Sequence, residues 1–108
     1  MVLSAAPVQA AVELVMFEAP GCVWCARWNS EIGAVYPRTA EGRTAPIRRV
    51  DIARADEAWL AKPVRYTPTF VLHDGGREVG RITGYANDAA FWGLLGAMLA
   101  RIAPPGRP

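Results

Sequence analysis

Two cysteines stand three positions apart in Cys22-Val23-Trp24-Cys25, and they are the only thiols in a chain of 108 residues. A disulfide across so short a loop removes little freedom from the unfolded chain, so stapling alone is a poor reason for the pair. Such spacing serves half a zinc site, an inert disulfide or thiol–disulfide exchange. Zinc takes four ligands, whereas the sole histidine, His73, lies far along the chain and no second cysteine pair exists, which weighs against a structural metal. The residues favour exchange. That chemistry needs one exposed thiolate to attack a partner's disulfide and a second thiol to attack the resulting mixed disulfide, releasing the partner reduced.

The flanking sequence positions the pair for those roles. Val12 to Glu18 is nearly continuous in apolar residues, as a strand buried on both faces would be, and Ala19-Pro20-Gly21 breaks it. A helical pattern follows, with Trp28, Ile32, Val35 and Tyr36 expected on one face and Pro37 as its stop. Cys22 then falls at the helix start, where unpaired N–H groups and the positive end of the helix dipole stabilise a thiolate below the free value of about 8.5. Cys25, one turn on, faces inward. This spacing brings the sulfurs together and makes Cys22 the nucleophile and Cys25 the resolving thiol.

The remaining elements follow from the same periodicities. Thr39 to Pro46 reads as a polar connection, Ile47 to Ile52 as a second strand, and Asp51 to Lys62 as a short helix stopped by Pro63. Pro68 to His73 is a third strand, Asp74-Gly75-Gly76 a turn, and Arg77 to Thr83 a fourth strand completing a hairpin. Asn87 or Asp88 caps a last helix with an apolar stripe of Phe91, Leu94, Leu95, Met98, Leu99 and Ile102, and Pro104-Pro105 ends it. The order β-α-β-α-β-β-α implies an α/β domain: one mixed four-stranded sheet flanked by helices.

Composition narrows the function classes. Twelve basic residues against ten acidic give a net charge of only +2, and the basic residues are scattered, which argues against a nucleic-acid or anionic-membrane binder. No apolar run is long enough to span a bilayer. Residues 1–10 contain Val8 and Ala10, small residues at −3 and −1 of a cleavage position, and read as the remnant of an export signal or as a flexible arm. The folded domain is expected over 11–103, with 104–108 a disordered tail.

Thr67-Pro68-Thr69 opens the third strand with a proline, tolerable where no ladder bond is needed. With Cys22-Val23-Trp24-Cys25 heading the first helix, and Gly84 closing the fourth strand, the chain resembles the thioredoxin superfamily in its minimal, glutaredoxin-sized version. The resemblance spans Val12 to Ile102. It implies that Pro68 is the family's cis-proline beside the cysteines, that Thr67 offers backbone hydrogen bonds to substrate, and that Gly84 sits on the rim of the substrate groove. The stretches Phe17 to Cys22, Gly84-Tyr85 and Phe91 to Leu95 are similar to the periplasmic thioredoxins of bacterial sulfur-oxidation (Sox) operons. What this implies is a dithiol reductase of protein disulfides that keeps Sox proteins active, uses no cofactor beyond its own disulfide, works as a monomer in the periplasm, and draws electrons from a membrane donor of DsbD or CcdA type. The alternatives are a disulfide oxidase or isomerase, a non-catalytic binding module of the same fold, and a cytoplasmic location.

The chain also departs from thioredoxin. Met16 occupies the place of the buried acid six residues before the first cysteine, and Glu18, on the same strand face by alternation, is the nearest carboxylate, either a proton relay near Cys25 or a solvent-tipped residue at the strand end. Trp24 stands where thioredoxin has a proline, as a bulky candidate for docking a partner. Arg27 is a candidate for lowering the Cys22 pKa or steering acidic partners, and Arg65 and Tyr66 for framing the groove.

Overall fold

The computed structural model describes residues 11–102; the expected export remnant at 1–10 and tail at 104–108 lie outside them. Strand β1 (Val12–Glu18) runs into helix α1 (Val23–Trp28), a π-turn (Asn29–Gly33) and a 3₁₀ turn (Tyr36–Arg38). Helix α2 (Ala40–Thr44), strands β2 (Ile47–Asp51), β3 (Thr69–Asp74) and β4 (Arg77–Thr83), and helix α3 (Asp88–Leu99) complete the chain. The sheet order is β2-β1-β3-β4. β1 pairs parallel with β2 and antiparallel with β3, and β4 closes a hairpin on β3. This is the mixed four-stranded sheet that the sequence implies.

Alternation along β1 divides the core in two. Leu14 and Met16 face one side with Phe70 and Leu72 of β3, where α1 and α3 supply Cys25, Trp28, Phe91, Leu95 and Met98 and the C-cap of α2 supplies Ala45. The aromatic centre is Trp28, packed 5.2 Å from Phe70 and 5.7 Å from Phe91 between ring centroids. Val15, Phe17 and Val71 face the other side, under Val64 and the partly buried Val50, Ile52, Trp59 and Leu60.

Three local expectations are corrected. The segment Asp51 to Lys62 forms only a 3₁₀ turn at Ile52–Arg54, where the Asp51 carboxylate accepts from the Ala53 N–H at 2.9 Å. Trp59 and Leu60 still cover the second sheet face, but from irregular chain: burial, not helical periodicity, fixes them. Conversely, the connection Thr39 to Pro46 holds α2, whose N-cap Thr39 accepts from the Gly42 N–H at 3.0 Å. Gly42 is needed because a Cβ there would strike the Tyr36 carbonyl. Finally, Val35 is exposed, although Trp28, Ile32 and Tyr36 are buried as expected. The π-turn inserts a residue into the helical repeat and rotates Val35 outward.

The other elements follow their residues. Gly75 and Gly76 both take positive φ (57° and 93°), the mark of the tight hairpin turn that matches strand twist. The Asn87 side chain caps α3 by accepting from the Ala90 N–H at 2.8 Å.

Candidate active site

β1 delivers the cysteines to one end of the sheet. Gly21, at φ 77°, turns the chain after the strand, and Cys22 becomes the N-cap of α1. Its Sγ accepts a hydrogen bond from the Cys25 N–H at 3.1 Å, so the sulfur satisfies a helix donor that would otherwise be orphaned. The two residues are joined as a disulfide with Cα atoms 5.2 Å apart. Their environments differ: Cys22 is half-buried, whereas Cys25 is 3% exposed and belongs to the helical core.

The loop before β3 reaches the same end. Phe17 pairs with Thr69, so the residue preceding Thr69 lies beside the end of β1 from which the cysteine loop departs. That residue is Pro68, and the Thr67–Pro68 peptide is cis. Gly84 follows β4, takes φ 85°, and donates its N–H to the Pro68 carbonyl at 2.7 Å. Pro68 is buried and Thr67 half-buried. His73 pairs with Glu13 near the start of β1, at the opposite end of the sheet from the cysteines, and no group of potential metal ligands forms among the described residues.

Exposed apolar side chains stand between the cysteines, Val23 and Trp24, with Trp24 50% exposed; Tyr66, ahead of Pro68 in the chain, is exposed as well. The Arg27 guanidinium lies over the Trp24 ring at 5.6 Å and donates to the Glu31 carboxylate at 3.0 Å. Glu31 also accepts from the buried Tyr85 hydroxyl at 2.5 Å. Arg27 is therefore tied to Glu31 and Trp24. The Tyr85 and Arg27 hydrogen bonds hold the Glu31 carboxyl below its ordinary range, while desolvation and the Glu31 bond push Tyr85 up to about 12.

Beneath the cysteines, Met16 is completely buried. Glu18 accepts from Arg49 at 3.1 Å, and Arg49 donates its other terminal nitrogen to the Asn29 side-chain oxygen at 2.7 Å. Arg65 and Tyr66 line a separate pocket with Lys62, Pro63, Thr69 and Arg81, on the sheet face away from the helices.

A thioredoxin-like domain model matches residues 2–99. This chain belongs to the thioredoxin-like family. The comparison with curated proteins returns no match. Among solved structures, the periplasmic thioredoxin SoxS from Paracoccus pantotrophus is 44% identical, with a TM-score of 0.79 over 83% of this chain and 97% of that one. Thioredoxin from Fasciola hepatica is 26% identical with a TM-score of 0.63, over 83% of each chain. Oxidised thioredoxin from Plasmodium falciparum is 25% identical with a TM-score of 0.61, over 81% of this chain and 80% of that one.

The thioredoxin-like fold and the Cys22–Cys25 disulfide make this chain a thiol–disulfide oxidoreductase whose redox group is part of the protein. No helix among the described residues is long and apolar enough to cross a membrane. Sequence reasoning missed four neighbours of this thioredoxin-like centre: Asn29, Glu31, Arg49 and Tyr85. Tyr85 and Glu31 meet across 54 positions, a pairing without local periodicity. Arg49 carried a usable hint, because a strand pairing parallel with β1 brings it opposite Met16 and within reach of Glu18.

Proposed function

We propose that this chain is a periplasmic dithiol reductase in which Cys22 attacks and Cys25 resolves. The Cys22 thiolate bonds to one sulfur of a partner's disulfide, and the partner's other sulfur leaves with the electron pair. Cys25 then attacks Cys22, closing the intramolecular disulfide and expelling the partner's second thiolate; the partner gains two electrons and the enzyme loses them. The observation that carries this assignment is the asymmetry of the pair. Cys22 is half-buried and its sulfur already accepts a helix N–H, the contact that favours a thiolate, while Cys25 is enclosed in the core.

The groove for an extended partner segment runs between Trp24 and the Thr67–Pro68 loop, with Gly84 on its rim. The Thr67 backbone pairs with the segment, and Trp24 covers an apolar patch near the attacked disulfide. The compartment and partner class rest on likeness to the periplasmic thioredoxin SoxS, which extends over 97% of that chain. Sox proteins are the substrates on this reading, and a membrane thiol donor of DsbD or CcdA type returns the electrons.

A Cys25→Ser variant tests it. The variant should accumulate Cys22 mixed disulfides, and mass spectrometry of an envelope extract should find Sox proteins among the trapped partners. Recovery of other secreted proteins alone would remove the Sox assignment. A measured reduction potential near −120 mV, the range of strong oxidants, would reverse the direction, against the roughly −270 mV of a reductase.

A further inference from the structure

Resolution of the mixed disulfide requires Cys25 to lose its proton, yet Cys25 lies in an apolar core with Met16, Trp28 and Phe70. Burial of this kind holds a thiol protonated unless an acceptor is near. One face of the active-site loop supplies it. A pocket of about 360 Å³ opens beside the disulfide, and Glu18, Gly21, Cys22, Cys25 and Asn29 line it. Glu18 is the only carboxylate among those lining residues.

The setting of Glu18 is a built one. Its carboxylate is clamped by Arg49 at 3.1 Å, Arg49 is fixed in turn by Asn29 at 2.7 Å, and the guanidinium lies 5.5 Å over the Trp28 ring. The charged and titratable groups facing Glu18 are Arg49 and Asp51 of β2 and the two cysteines. Asp51 stands opposite in register, but its carboxylate caps Ala53. β3 contributes uncharged Thr69 opposite the neighbouring Phe17. Arg49 holds the carboxylate in place, and the Glu18 side chain remains 29% exposed, so a proton it receives can reach solvent.

We propose that Glu18 is the proton acceptor for Cys25, with Arg49 as its positioning residue. The inference rests on the assignment of Cys22 as attacking and Cys25 as resolving thiol. With the partner attached to Cys22, the Cys25 proton passes through pocket water to the Glu18 carboxylate. The Cys25 thiolate bonds to the Cys22 sulfur, the bond between Cys22 and the partner breaks, and the partner's thiolate leaves with the electron pair. Glu18 returns its proton to that thiolate or to solvent. The carboxylate thus works from the end of β1, while Met16 leaves the strand interior apolar.

The test follows resolution of a preformed mixed disulfide between Cys22 and a chromogenic aromatic thiol, in stopped flow from pH 5.5 to 9.5. Glu18→Gln should resolve about 100-fold more slowly than the wild type at pH 6, with the rates converging toward pH 9.5 as solvent takes over deprotonation. Equal rates at pH 6, or a deficit of the same size at every pH, would overturn the proposal. Should this variant not fold, ¹³C-NMR of the wild-type Glu18 carboxyl decides. Its titration should show a second inflection in the reduced protein, reporting Cys25, that is missing from the oxidised one, and identical curves would overturn the proposal. Iodoacetamide mapping of the reduced protein separates the two layers. Labelling at Cys25 instead of Cys22 refutes the assignment of thiol roles; labelling at Cys22 with unimpaired resolution in Glu18→Gln refutes the relay alone.

Discussion

Trp28 ends α1 one turn beyond Cys25 and is completely buried, so its replacement probes how the active-site helix is anchored. Its ring meets Tyr36, Phe70 and Phe91 with centroids 5.2–6.1 Å apart, and Arg49 covers one face. Trp28→Ala removes that volume, which costs about 3–5 kcal/mol in a close-packed core. This is a large share of the roughly 5–15 kcal/mol that holds a small domain together. At a urea slope of about 2 kcal/mol/M the midpoint should fall by about 1.5–2.5 M. Trp28→Phe should behave differently. It keeps one aromatic ring against Phe70 and Phe91 and loses the burial of the second, which costs about 1–2 kcal/mol. The Phe variant should therefore be destabilised by about 1–2 kcal/mol, well short of the Ala variant. Urea titrations of the oxidised proteins followed by far-UV circular dichroism measure both. A Phe variant as weak as the Ala variant, or an Ala variant that loses less than about 1 kcal/mol, would refute the packing argument.

Gly93 and Gly96 lie on the exposed side of α3 with nothing within 4 Å of an added Cβ, so alanine at either should stabilise by about 0.5–1 kcal/mol. Gly42→Ala, whose methyl would run into the Tyr36 backbone, should lower the melting temperature sharply; thermal melts compare the three variants. Hydrogen bonds from Arg81, foremost, and from the Ala61 N–H hold the Glu78 carboxyl below its ordinary value of 4.5. Its folded pKa is thus below its unfolded one, so its contribution is present above about pH 4.5 and is lost as pH falls through the folded value. Acid-unfolding curves should accordingly be shallower for Glu78→Gln than for wild type below that pH. Trp24 is half-exposed, so Trp24→Ala should leave the urea midpoint nearly unchanged while raising KM for a protein disulfide, with little effect on a small aromatic disulfide. A matching loss on both substrates would contradict partner docking.

What could be read from the residues depended on how local the determinant was. β1, the β3–β4 hairpin and α3 declare themselves through an apolar run, a Gly75-Gly76 turn and an Asn87 cap, all within a few residues of the element they define. The cysteine pair was legible for the same reason. The second layer of the core was not: Trp59 and Leu60 look helical in spacing, yet they are held by the sheet face above them. Val35 misleads because a single π-turn shifts the helical register, and nothing in Asn29 to Gly33 marks it. The contacts of Glu18 with Arg49 and of Tyr85 with Glu31 exist only once strands and helices are assembled. Sequence reasoning could name Glu18 as a carboxylate near the cysteines, but not the clamp that fixes it.

The division of labour between the two cysteines is tested most directly by alkylating the fully reduced protein with a limiting amount of iodoacetamide at pH 7 and mapping the label. The half-buried Cys22, whose sulfur accepts the Cys25 N–H, should carry nearly all of it, with Cys25 modified only after unfolding. Equal labelling of the two, or faster labelling of Cys25, would contradict the account.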